Sequence, residues 1–441
     1  MTVFSRPAQR LYRLLCLLLS CVLLNACGGD ALQLANGIGG TGITAIGRLT
    51  AFGSVYVNGV HYNTDTAQFQ YNGESAQQSD LDLGNIIRVK GTINADKKTG
   101  IAELVTYADT ITGPVTQPLS GNTIEIMKQT VVIDDLTLFY GFKEPADLQT
   151  NNIVEVSGFS AANGKIKASS IRLKNESYID GTALELEGFI SDIDADLQTF
   201  NIDGLTVNYS QSQFTGVTTD TLKDDLYLIV TTNENLQNDT LKASKITLDD
   251  QLLQVAGLYE IEGFVTAFTS ADAFSVDDSP IVTTSQTVIN PTQSALQQDA
   301  YVRITGTSNA AGELVADEVT VIDSESEIVV ESTLQAIDLS EKKVELLGQT
   351  ARIDAFTLLL NEQATDTTML SLNDFAVGDS VVAVIRKGSD GELTIVRLSK
   401  VDTQIQTFIL GVPSVIDTAL STLTLFNQTI QTDNAIFYNS N

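Results

Sequence analysis

The sequence predicts an all-β protein: a tandem array of about five small β-barrel repeats followed by a partial one. Three observations predict it. Apolar and polar residues alternate with period two through short runs rich in Thr, Val, Ile and Phe, as in Val154-Glu155-Val156 and Val302-Arg303-Ile304. Gly, Asn and Asp turn signals separate the runs, and no sustained 3.6-residue apolar stripe follows the N-terminal segment. Short sequence landmarks then recur at intervals of tens of residues, the signature of a repeat architecture.

The first element, residues 1–26, is read as an export signal. Arg6, Arg10 and Arg13 precede an apolar stretch over 14–24, about 11 residues, too short to cross roughly 30 Å of hydrocarbon as a helix. It closes on Leu24-Asn25-Ala26-Cys27, which resembles the lipobox of bacterial lipoproteins. That resemblance implies that Cys27 is lipidated and becomes the first residue of the mature chain. It also implies a location in the bacterial cell envelope, the outer membrane being favoured because Gly28 rather than Asp follows the cysteine. A Gly-rich tether spans 27–44. Within it, residues 37–42 fit G-x-G-x-x-G by letter, but no strand precedes them and no helix follows, so a dinucleotide site is not read there.

Repeats follow at 45–109, 110–180, 181–258, 259–325 and 326–402, with a partial repeat, or cap, at 403–441. The first landmark is a strand led by glycine, at Gly47, Gly113, Gly188, Gly263 and Gly411, with a degenerate copy at Ser332-Thr333-Leu334-Gln335. A second is clearest in residues 128–134, 348–354 and 427–433. A third, an alternating apolar strand, occupies 81–91, 148–158, 222–230, 296–306 and 375–385. The fourth is a turn and final strand at 100–107, 164–173, 240–248, 312–321 and 391–400, reading G-x-x-x-A-x-x-[IV] in its clearest copies. Each unit is therefore expected to be a three-stranded meander, a connection able to hold one helical turn, and a two-stranded hairpin. Five strands in that order resemble an OB-like barrel. The partial repeat has the first two landmarks only and is expected to pack on repeat five, with strands near 408–410, 423–426 and 435–438.

Composition excludes several classes. Removing the three N-terminal arginines takes the net charge from −30 to −33, which opposes binding to nucleic acid despite the OB-like resemblance. Cys16 and Cys21 leave with the signal, so no disulfide or thiolate metal site remains. His61 is the single histidine, which removes Ser-His-Asp and multi-histidine metal constellations. Asp192, Asp194, Asp196 and Asp203 have the spacing of a Ca²⁺ loop, but Leu197 stands where its tight turn needs glycine, and a hairpin turn with solvated acids is the better account. Ser340-Glu341-Lys342-Lys343 fits S-x-x-K without the companion motifs that chemistry requires. Asp134, Asp354 and Asp433 recur at one place in the repeat and are read as turn residues.

The lipobox, the Gly-rich tether and the acidic β-repeats opening with sequences such as residues 49–62 together resemble a bacterial family of exported repeat proteins described only as a domain of unknown function, over about 45–441. The resemblance carries over a fold and a location but no active site, and the residues themselves give no cofactor or metal site. The expected role is a lipid-anchored, non-enzymatic scaffold whose strung barrels present an extended acidic surface to an envelope protein partner. A saccharide or small-ligand binder using Tyr107, Tyr140, Tyr209 and Tyr259 as stacking platforms is the alternative, and a hydrolase with dispersed carboxylates the third reading.

Overall fold

A computed structural model describes residues 41–248, 257–322, 327–388, 391–402 and 407–433. Cys27, the signal, most of the tether and the strand expected near 435–438 lie outside them. The first unit shows the plan. Its strands are β1 (Thr41–Phe52), β2 (Val55–Val57), β3 (Val60–Asn63), β4 (Gln68–Tyr71), β5 (Glu74–Ala76), β6 (Ile86–Ile93) and β7 (Thr99–Tyr107). The meander β1-β2-β3 is antiparallel; β3 and then β4 run parallel to β7; β6 lies antiparallel between β7 and β1. That circuit is the order of an OB-like barrel, and one turn of 3-10 helix at Gln78–Asp80 fills the connection before β6.

The same order recurs over 111–175, 184–248, 258–322 and 327–400. The barrels are only partly closed. The last strand of the third unit breaks between Lys242 and Lys245, and the first strand of the fifth between Thr333 and Ala336. Among the described residues no helix is long and apolar enough to cross a membrane.

The landmarks have physical causes. The second marks the tight turn joining the second and third strands, where two successive residues take positive φ: Asn58-Gly59, Met127-Lys128, Asp203-Gly204, Asp277-Asp278, Leu347-Gly348 and Phe426-Asn427. Two left-handed residues give the turn the twist of the flanking strands. That turn folds back over the glycine of the first landmark. A Cβ at Gly113 would lie 2.5 Å from Met127 Cε, and one at Gly188 2.7 Å from Ile202 Cγ2. The third and fourth landmarks meet at a β-bulge, where Gly91 opposes Ala102, Gly158 opposes Ala168 and Gly306 opposes Ala316.

Tandem in sequence, the units are clustered rather than strung in space. The first strands of units one and four pair in parallel, Ile43 to Leu258 through Ile46 to Ile261, making one 13-stranded sheet. Units two and three share another through Leu186 and Ile111 and have a common core. Leu83 of unit one, Leu138 and Tyr140 of unit two and Leu358 and Leu360 of unit five form a buried apolar knot. Phe159 and Ala161 meet Phe264 in a second, between units two and four. Outward-facing apolar side chains on each barrel lose water only by packing on another barrel, so an extended array would leave them exposed. The final strands continue the cluster: Phe408–Leu410 pairs antiparallel with 329–331, and Phe426 enters the core of unit five.

Candidate functional site

The four tyrosines singled out as stacking platforms do not face solvent. Tyr107, Tyr140, Tyr209 and Tyr259 are all buried, 2–5% exposed, because they occupy inward positions of the barrels or the seams between them. Tyr107 donates its hydroxyl to Glu155 (3.1 Å), Tyr140 donates to the Leu83 carbonyl (2.8 Å), and Tyr209 stacks on Phe200 at 5.7 Å. Alternation gives the face of a strand, but it does not separate a solvent face from one that another unit covers.

The remaining candidates take structural roles. Asp194 Oδ1 accepts from the amides of Asp196 and Leu197, closing a hairpin turn, while Asp192 accepts from Asn201 and Asp203 sits in the next turn against Gly164. Among the described residues no three His, Cys, Asp or Glu side chains are grouped to hold a metal. His61 stacks on Tyr56 with centroids 4.5 Å apart. Ser340 donates to Asp338 Oδ1 (2.6 Å) within its turn. Asp134 and Asp354 each accept from the amide two residues on, at 2.9 Å, fixing equivalent turns.

What the sequence does not disclose is where ionisable groups gather, which is in the seams. Between units one, two and three lie Asp109, Glu155 and Glu185. Glu155 accepts from Tyr107 and from Lys174 Nζ (2.7 Å), while Asp109 accepts from Asn72 and Thr112. Burial first, then the charges of Asp109 and Glu155, pushes Glu185 up to about 8. A pocket of about 310 Å³ opens where units one to four meet, lined by Ile46, Arg88, Tyr107, Ser160, Tyr227 and Asp277. Asp277 Oδ1 accepts from the Ser160 amide (2.7 Å), tying unit four to unit two, and burial with Asp278 beside it pushes Asp277 up to about 7.

A third seam joins units one, four and five around a cavity of about 190 Å³ lined by Arg48, Arg303, Arg386, Glu262, Tyr301 and Phe356. Glu262 accepts from Tyr301 (3.0 Å) and from Arg303 Nε (2.8 Å), and Arg386 Nη2 donates to Glu327 (2.6 Å). The Arg303 guanidinium lies 4.1 Å from the centre of the Phe356 ring. The sequence signal for this site is slight: Arg48, Arg303 and Arg386 are polar steps in alternating strands, and their convergence is set by how barrels dock.

Residues 43–105, 112–172, 187–247 and 262–320, over half of the chain, match the family described as Domain of unknown function (DUF5666). The chain belongs to the DUF5666 family. Its units one to four are the four matched copies; the fifth shares their strand order although Ser332 replaces the leading glycine and Ile385 opposes Ile395 where units one, two and four place Gly against Ala. No curated protein matches this DUF5666 chain. A solved structure titled "drosophila Unr CSD456" is similar at 13% identity, covering 51% of this chain and 99% of that one with a TM-score of 0.12.

Proposed function

We propose that this DUF5666 chain is a lipid-anchored, non-enzymatic module of the bacterial cell envelope that holds a protein partner. The observation that carries the reading is the placement of its ionisable groups. Glu155, Glu262, Arg303 and Asp277 lie in seams between units and bond across or within them, which suits a body built to stay rigid. The saccharide reading loses its stacking residues to burial.

Partner contact is assigned to the last described unit. Val412, Ile416 and Leu420 are 77%, 69% and 68% exposed there, an unusual concentration of open apolar side chains. After Lys400 the chain has Asp402, Asp417 and Asp433 and no Lys or Arg, so the partner face is apolar with a neutral or basic rim.

Two measurements test the reading. Cys27→Ser is expected to abolish membrane fractionation, since anchoring needs the acyl chains, each buried CH₂ adding about 0.8 kcal/mol. Unaltered fractionation of that variant overturns the anchor. A photo-crosslinking residue at Ile416 is expected to give one discrete adduct in intact cells that Cys27→Ser removes, and none from Ile101, which is 49% exposed on unit one. Equal labelling from both positions overturns the docking face.

A further inference from the structure

We infer that the cavity where units one, four and five meet is a binding site for a small oxyanion, a phosphate or a carboxylate, received by Arg48 with Arg386. Three guanidiniums from three units converge there, in a protein with 25 basic and 55 acidic side chains. Among the described residues the nearby acids are already engaged. Glu262 is bonded to Tyr301 and Arg303, Glu327 to Arg386, and Asp354 to the Phe356 amide of its own turn. Arg48 is different. Its half-buried guanidinium forms no hydrogen bond or ion pair among the described residues, and its Nε is enclosed without an acceptor. Arg386 Nε is enclosed and unpartnered in the same way.

Enclosing donors of a permanent cation without an acceptor is costly, and the planar guanidinium fork matches two oxygens of a carboxylate or phosphate. The space suits a small guest. About 190 Å³ corresponds to roughly six waters at about 30 Å³ each. Leu358, Ile395 and Phe356 supply an apolar wall that tolerates a short carbon stem. Because the cavity lies on a seam, its guest would fasten three units together. The inference is independent of the proposed partner and of lipidation.

Thermal unfolding of the mature chain in phosphate, acetate or chloride at equal ionic strength tests it. The expected result is a melting temperature that rises and saturates with phosphate or acetate and not with chloride, since a guest bound only to the folded state stabilises it by mass action. Phosphate alone, acetate alone or both identifies the guest class. Arg48→Gln is expected to lose the saturable rise, and Arg352→Gln, at an exposed arginine paired with Glu392, to keep it. If Arg48→Gln does not fold, Arg48→Lys keeps the charge without the fork and is expected to need at least tenfold more anion for the same rise. No saturable rise in the wild type, or one unchanged in the Arg48 variant, overturns the site.

Discussion

Gly158 shows why this repeat tolerates little at its glycines. It stands at the bulge between the last two strands of unit two, and a Cβ there would come within 2.5 Å of the Lys167 carbonyl oxygen. A backbone atom in a paired strand cannot swing away as a side-chain tip can. Gly158→Ala is expected to cost about 1–3 kcal/mol, the range for overpacked positions, read by urea unfolding. Gly42→Ala, with nothing within 4 Å, is the control and should be close to neutral. Equal stability of the two variants would show that the bulge relaxes freely. This constraint was legible beforehand as a recurring Gly and Ala in the third and fourth landmarks. Its cause was not, because the sequence does not say that Gly158 and Ala168 are partners across a bulge.

The final strands show how an incomplete element is used. Phe408–Leu410 adds to the first strand of unit five, Phe426 is 6% exposed within that unit's core, and Gln428 Nε2 donates to the Leu347 carbonyl (2.7 Å). The second landmark survives in this unit because its left-handed turn, Phe426-Asn427, delivers that phenylalanine. Ending the chain after Asp402 is expected to destabilise unit five by at least the about 3–5 kcal/mol of a buried Phe→Ala change. Hydrogen exchange should show the loss at Glu327–Thr333 and Ser380–Lys387 and little at β1. Unchanged protection in both strands would mean that the last unit rides on unit five without supporting it.

At the scale of the molecule, carboxyl groups held in the seams set a pH dependence. Burial pushes Glu185 up to about 8, and Asp277 and Glu260 up to about 7, from ordinary values of 3.8 to 4.5. Facing charges modify this: Asp109, Glu155 and Lys245 at Glu185, Asp278 and Arg88 at Asp277, and Arg303, Glu262 and Lys97 at Glu260. A folded-state value above the unfolded one gives stability that is complete below about pH 4 and lost as pH rises through about 7 to 8. Hydrogen-bonded surface carboxylates such as Asp374, held below its ordinary value, work oppositely in acid. The melting temperature is therefore expected to be higher near pH 5.5 than near pH 8.5, and Asp277→Asn to flatten the difference. A maximum near pH 8.5 would contradict the placement of these groups. None of this could be read from 55 acids scattered through the chain. The sequence by itself determined the β class, the repeat and its strand order, because alternation, turn residues and close-approach glycines are local constraints that each unit satisfies alone. Only the tertiary structure decided that unit one pairs with unit four, that Tyr107 and Tyr140 are covered, and that Arg48, Arg303 and Arg386 share a cavity. Those outcomes depend on which barrel faces bury one another, and contacts between residues hundreds of positions apart leave no periodic mark on either segment.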